Sequence, residues 1–168
     1  KIINLKQNLI IKKYPVRIKP GTKINMNNFN LIIENSFVLD GNKNEEIFIY
    51  SESEFGSVFA LGNNNNFAKI THTNFSNGSM YKHRGFFAQG MLSIYNFRDV
   101  DIINSTFLNN NGEDAVNLKR VQKYNIKYNN FKDCFIDCLD IDLSKGEIID
   151  NYFSNNENDN LSIEIIKD

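Results

Sequence analysis

One hexad recurs four times along the chain: ITHTNF (Ile70–Phe75), IINSTF (Ile102–Phe107), IKYNNF (Ile126–Phe131) and IIDNYF (Ile148–Phe153). Each opens on Ile, closes on Phe, and carries Thr, Ser or Asn two places before the Phe. The phenylalanines are 32, 24 and 22 residues apart. A fixed period in the twenties marks an array of small units, each burying a face against its neighbour. The longer first gap places an insertion of about eight residues at the segment SNGSMYKHRG.

A second repeat follows each Phe in the same phase: GMLSIY (Gly90–Tyr95), DAVNLK (Asp114–Lys119), DCLDID (Asp137–Asp142) and DNLSIE (Asp159–Glu164). Apolar residues alternate in it (Leu92 and Ile94, Val116 and Leu118, Leu139 and Ile141, Leu161 and Ile163), which is the period of two of a strand. Two short strands per unit, recurring in one direction, cannot close into hairpins. They stack as parallel coils, each strand pairing with its copy about 4.8 Å along the axis. The expected fold is therefore all-β, a right-handed parallel β-helix of six to seven coils of 22–24 residues. Its interior should hold one ladder of Ile70, Ile102, Ile126 and Ile148 and another of Phe75, Phe107, Phe131 and Phe153. A leucine-rich repeat needs a consensus that is missing here, and propeller blades are about twice as long.

The chain reads as one domain, residues 1–168, with less regular coils over 1–66 and regular ones over 67–168. In the front part Val16, Ile18, Ile24, Met26, Leu31–Ile33 and Val38 read as strands around the turn Lys19–Thr22 (KPGT). The strand ending LSIEIIKD should leave an unpaired edge, which further coils of a longer chain, or edge-to-edge pairing with another subunit, would cover.

Twenty-nine Asn against 2 Pro and 9 Gly suit a chain with many tight corners, because Asn tolerates left-handed backbone and satisfies nearby main-chain groups. An AT-rich coding sequence would give the same excess. The formal charge of −1 leaves no basic footprint for nucleic acid. No apolar run approaches the roughly 18 residues that span a bilayer, so membrane insertion is not expected. Cys134 and Cys138 lie four apart with no His nearby, which reads as packing or turn residues first and a local disulfide second.

The Pro-Gly-Thr turn before a short apolar strand, together with the two repeats, resembles the right-handed parallel β-helix proteins of the pectate-lyase-like type found on bacterial surfaces and among secreted proteins. A similar arrangement occurs as a tail on surface proteins of the spore-coat-kinase type. The resemblance covers nearly the whole chain, loosely at the front and closely from Ile70 to Ile165. It implies a secreted or cell-surface location in a bacterium and is specific for architecture only, since this fold carries lyases, hydrolases and adhesins alike.

Chemistry would sit on the second repeat. Its outward columns read Ser93, Asn117, Asp140, Ser162 and Tyr95, Lys119, Asp142, Glu164. Asp114, Asp137 and Asp159 should stack before them, beside Glu113, and three carboxylates about 5 Å apart repel unless a cation, a lysine or a raised pKa relieves them. Calcium held by Asp114, Asp137, Asp140 and Asp159 is one resolution. Aspartates bonded to the main chain of their own turns, or a solvated acidic face, are the others. A calcium-dependent lyase acting on an acidic glycan would use Lys119 or Arg120 as base; a Lys119–Asp142 surface ion pair explains the same residues. The pectin-hydrolase pattern of paired Asp, Gly-His-Gly and Arg-Ile-Lys is not matched by His72 or His83. In the insertion, Tyr81, His83 and Arg84 beside Phe86 and Phe87 form either a sugar-stacking platform or a cover over the core. The expected function is a non-catalytic surface module that binds carbohydrate or adheres, with the lyase as alternative and polysaccharide as partner.

Overall fold

The computed structural model describes residues 1–164. Its strands follow the repeat turn by turn. The first turn holds β1 (Ile2–Asn4), β2 (Leu9–Ile11) and β3 (Val16–Ile18), and the second β4 (Lys23–Asn25), β5 (Leu31–Ile33) and β6 (Phe37–Asp40). The third holds β7 (Ile47–Phe55), β8 (Val58–Leu61) and β9 (Phe67–Thr71). The fourth begins with β10 (Thr73–Gly78), detours through β11 (Tyr81–His83) and β12 (Phe86–Ala88), and resumes with β13 (Gly90–Tyr95) and β14 (Asp99–Ile103). Next come β15 (Thr106–Asn110), β16 (Asp114–Lys119) and β17 (Lys123–Lys127), then β18 (Asn130–Cys134), β19 (Asp137–Asp142) and β20 (Gly146–Ile149), and last β21 (Tyr152–Ser154) and β22 (Leu161–Glu164). They stack into three parallel sheets: A (β1-β4-β7-β10-β15-β18-β21), B (β2-β5-β8-β13-β16-β19-β22) and C (β3-β6-β9-β14-β17-β20). The protein is a parallel β-solenoid of about seven turns.

A full turn therefore draws one strand from each of three sheets, not the two strands read from the repeat. The hexad is not one strand: its Ile is next to last in a strand of sheet C, its Phe lies near the start of one of sheet A, and its third residue bends the chain between them. That residue is His72, Asn104, Tyr128 and Asp150 in turn, at φ of 44°, 52°, 59° and 51°. A left-handed residue hidden inside an apolar-looking hexad has no signature in hydrophobic period, which is why the bend escapes a pattern search. Among the described residues Asn supplies 7 of the 14 left-handed non-glycine positions, so the amide excess does serve the corners.

The fourth hexad position carries the corner's hydrogen bonds. The N–H of Thr73 donates to Ser105 Oγ (3.2 Å), that of Ser105 to Asn129 Oδ1 (2.9 Å), and that of Asn129 to Asn151 Oδ1 (2.9 Å). Asn129 Nδ2 also donates to the Ile102 carbonyl at 2.8 Å. Main-chain groups that leave the sheet at the bend are thereby satisfied from the neighbouring turn.

The predicted ladders pair in register: Ile70 with Ile102, Ile126 and Ile148, and Phe75 with Phe107, Phe131 and Phe153. The rings lie 5.0, 5.0 and 4.9 Å apart and within 12° of parallel. Upward from Phe75 the column continues through Ile49, Ile24 and Ile3, so the less regular front coils stack on the same axis. One apolar core runs the length of the solenoid from Leu5 to Ile141.

Cys134 and Cys138 form a disulfide, Cα atoms 5.3 Å apart. Both cysteines are buried in the core, in keeping with the packing reading, and they are also bonded across the bend between β18 and β19, the alternative placed second. Spacing alone does not bring two Cβ atoms together, whereas a bend within the intervening residues does. The expected edge falls on β22, which pairs with β19; Ile165–Asp168 lie outside the described residues.

Candidate functional site

Sheet B positions the candidate site. Met91 and Leu92, Ala115 and Val116, and Cys138 and Leu139 are consecutive residues that all belong to the core. The in-out alternation therefore slips once at the start of β13, β16 and β19. This slip brings Gly90, Asp114 and Asp137 to the same outer side as Ser93, Asn117 and Asp140; the Gly90 N–H accordingly donates to Ser93 Oγ at 3.0 Å. The register is that of the repeat: Gly90, Asp114, Asp137 and Ser93, Asn117, Asp140, Ser162 and Tyr95, Lys119, Asp142, Glu164.

Asn117 Nδ2 donates to Asp140 Oδ2 at 2.6 Å, and Lys119 Nζ to Asp142 Oδ2 at 2.6 Å. Asp114 is only 1% exposed and its Oδ2 has no hydrogen-bond partner; neither have Asn117 Oδ1 and Asp137 Oδ1. Burial first, then the charges of Asp140, Glu113, Asp137 and Asp142, push the Asp114 carboxyl up to about 8. Burial and the neighbouring Asp142 push Asp140 up to about 6, against the pull of the Ser162 hydroxyl. Asp137 is raised by burial and by Asp159. Burial and mutual repulsion thus favour the protonated form of Asp114, while Lys119 pairs with Asp142.

Among the described residues no group of three or more His, Cys, Asp and Glu side chains is placed to hold a metal ion. The orphaned oxygens of Asp114, Asn117 and Asp137 number fewer than the roughly six to eight oxygens that calcium takes. Lys119, one candidate base for a lyase, is tied to Asp142. Arg120, the other, is a left-handed corner residue (φ 53°) whose Nε donates to Asn96 Oδ1 at 2.8 Å.

The insertion is an antiparallel hairpin of β11 and β12, closed by Arg84 and Gly85 at φ 48° and 82°. Two central residues of positive φ give the turn whose twist matches paired strands. The hairpin lies over the outer face of sheet B, where Tyr81 and Ala88 pack with Phe59, Leu61 and Tyr95 as a small second core. Glu34 anchors it, receiving Lys12 (3.0 Å), His83 (3.5 Å) and Arg84 (3.7 Å). Those contacts hold the Glu34 carboxyl below its usual range despite the opposing effect of burial, the largest single influence. Tyr81 Oη accepts a hydrogen bond from Asn8 Nδ2 at 3.3 Å. Tyr81, His83 and Arg84 are therefore engaged in docking the hairpin.

Phe86 and Phe87 do both jobs weighed for them. Phe86 leans on Phe59 at 6.5 Å, yet each ring remains 38% exposed. They border a shallow groove of about 210 Å³ lined by Gly85, Phe86, Phe87, Gln89, Tyr95, Lys119 and Arg120. The Tyr95 hydroxyl donates to the Phe87 carbonyl at 2.9 Å, and Gln89 Nε2 to Glu113 Oε2 at 3.1 Å. The structure thus joins the hairpin tip to Lys119 and Arg120 and leaves Asp114 and Asn117 buried beneath. Gln89 was not singled out by sequence, although its position one residue before Gly90, in phase with Glu113, was available as a signal; Glu34 offered none. Scans of protein-family models, of curated proteins and of solved structures each found no match to this chain.

Proposed function

We propose that this solenoid is a non-catalytic extracellular module that binds polysaccharide where its hairpin meets sheet B. The observation that carries the reading is the groove in which the half-exposed rings of Phe86 and Phe87 face Lys119, Arg120 and Gln89. Aromatic faces take the C–H side of a sugar, while a lysine, an arginine and an amide take its hydroxyls or a carboxylate. A binding role is favoured over lyase chemistry because Lys119 is paired and Arg120 is held in a corner. The Cys134–Cys138 disulfide supports an oxidising compartment, outside the cytoplasm.

Calorimetric titration against a panel of neutral and uronic-acid oligosaccharides tests the proposal. Binding that falls at least about tenfold in Phe87→Ala and Arg120→Ala, at unchanged melting temperature, is expected. Affinity indifferent to both substitutions overturns it. Product absorbing near 235 nm that vanishes in Lys119→Met would replace it with the lyase reading.

A further inference from the structure

A different face of the solenoid carries a second feature. Sheet A strands bend at their carboxy-terminal ends through one left-handed residue per turn: Asn77, Asn109, Asp133 and Asn155, at φ of 63°, 52°, 56° and 55°. These four line a groove of about 370 Å³ together with Phe135 and Glu157. We infer that this groove is a carbohydrate-binding site for an uncharged polysaccharide laid along the solenoid axis, separate from the site at the hairpin and independent of it.

The bend residues repeat at the coil spacing, which the stacked phenylalanines put at 4.9–5.0 Å. An extended β-linked hexose chain advances by a similar step per sugar with each ring turned over on the last, so every second sugar presents the same edge to the row of bends. Asn77 and Asn109 are partly fastened: Asn77 Nδ2 donates to the Ser51 carbonyl (2.7 Å) and Asn109 Nδ2 to Asn77 Oδ1 (3.3 Å). Among the described residues the Asn155 amide and the Asn109 Oδ1 make no hydrogen bond, and Asp133 has only Lys132 at 4.0 Å. Amides and a carboxylate fixed to rigid bends, with capacity left over, match pairs of vicinal hydroxyls.

Phe135 supplies the apolar wall. It is 53% exposed, although it stands between two cysteines that are buried in the core. The disulfide holds the short loop that carries it, so the ring is presented in place before any ligand arrives, and preorganisation of this kind lowers the entropic cost of binding. Asp133 and Glu157 would repel a uronic-acid polymer, which sets the class as uncharged.

Nitrogen-edited NMR of the full chain, titrated with cello-, xylo-, manno- and chito-oligosaccharides, decides the matter. Expected are shifts in the side-chain amides of Asn77, Asn109 and Asn155 and in the backbone of Asp133–Phe135, with affinity rising as the oligomer lengthens. Phe135→Ala and Asn109→Ala should each weaken binding at least about tenfold, whereas Phe87→Ala leaves this binding unchanged. Phe135 and Asn109 are exposed, and melting curves of both variants separate lost contact from lost fold; Phe135→Tyr should retain affinity. Failure of every neutral oligomer to shift these amides overturns the inference. So does binding that Phe135→Ala leaves intact, or shifts confined to the hairpin groove.

Discussion

At the scale of single residues, the backbone sets the sharpest expectations. Tyr128 occupies the left-handed bend that Asn104 fills one turn earlier, and its side chain is exposed. A bulky residue there strains the backbone, so Tyr128→Asn should stabilise by about 1 kcal/mol, read from the denaturant midpoint. Asn129 is the opposite case, since its amide serves the Ser105 N–H, the Ile102 carbonyl and Asn151 at once. Asn129→Ala leaves buried main-chain groups unpaired and should cost at least about 2 kcal/mol. Asp114 carries a pH dependence. Its folded carboxyl titrates at about 8 and its unfolded one at 3.8. Between these values the unfolded state binds fewer protons, so stability falls as pH rises from about 4 to 8. Asp114→Asn should therefore raise the melting temperature, more at pH 8 than at pH 5, and flatten the slope between them; a larger gain at pH 5 would refute the cause assigned.

Elements owe their stability to stacking on identical neighbours. Phe131 lies between Phe107 and Phe153 and is fully buried, while Phe153 has one ring neighbour and is only partly buried. Phe131→Ala should cost about 3–5 kcal/mol and Phe153→Ala clearly less, although sequence alone ranks the four ladder positions as equivalent. The bend between β18 and β19 is the one element stapled covalently. Reducing Cys134–Cys138 should cost about 2 kcal/mol, the modest value of a small closed loop, measured as a drop in melting temperature with reductant. The hairpin is a satellite element, with its own small apolar cluster and Glu34 as anchor. Sequence placed the insertion a few residues early, since Ser76–Gly78 still belong to β10, and did not give its docking, because the partner Glu34 lies 49 residues from His83 with no pattern connecting the two.

Taken whole, the molecule is a one-dimensional stack in which each turn touches only its neighbours. Hydrogen exchange should therefore be slowest in the central strands β10, β13, β15 and β16, and faster toward β1–β3, where Ile2, Leu9 and Ile10 are exposed. Uniform protection along the chain would contradict this near-neighbour picture. The axis, the period, both side-chain ladders and the column order of Asn117, Asp140, Lys119 and Asp142 are legible in the amino-acid order, because each follows from equivalent residues recurring at a fixed step. The third sheet, the slip that turns Asp114 outward, the disulfide, the docked hairpin and the amide groove along sheet A emerge only once the chain is folded. Each of these depends on where one residue adopts a left-handed or bulged backbone, and on which distant side chain then lies across the gap. Neither is encoded in the periodicity of apolar residues.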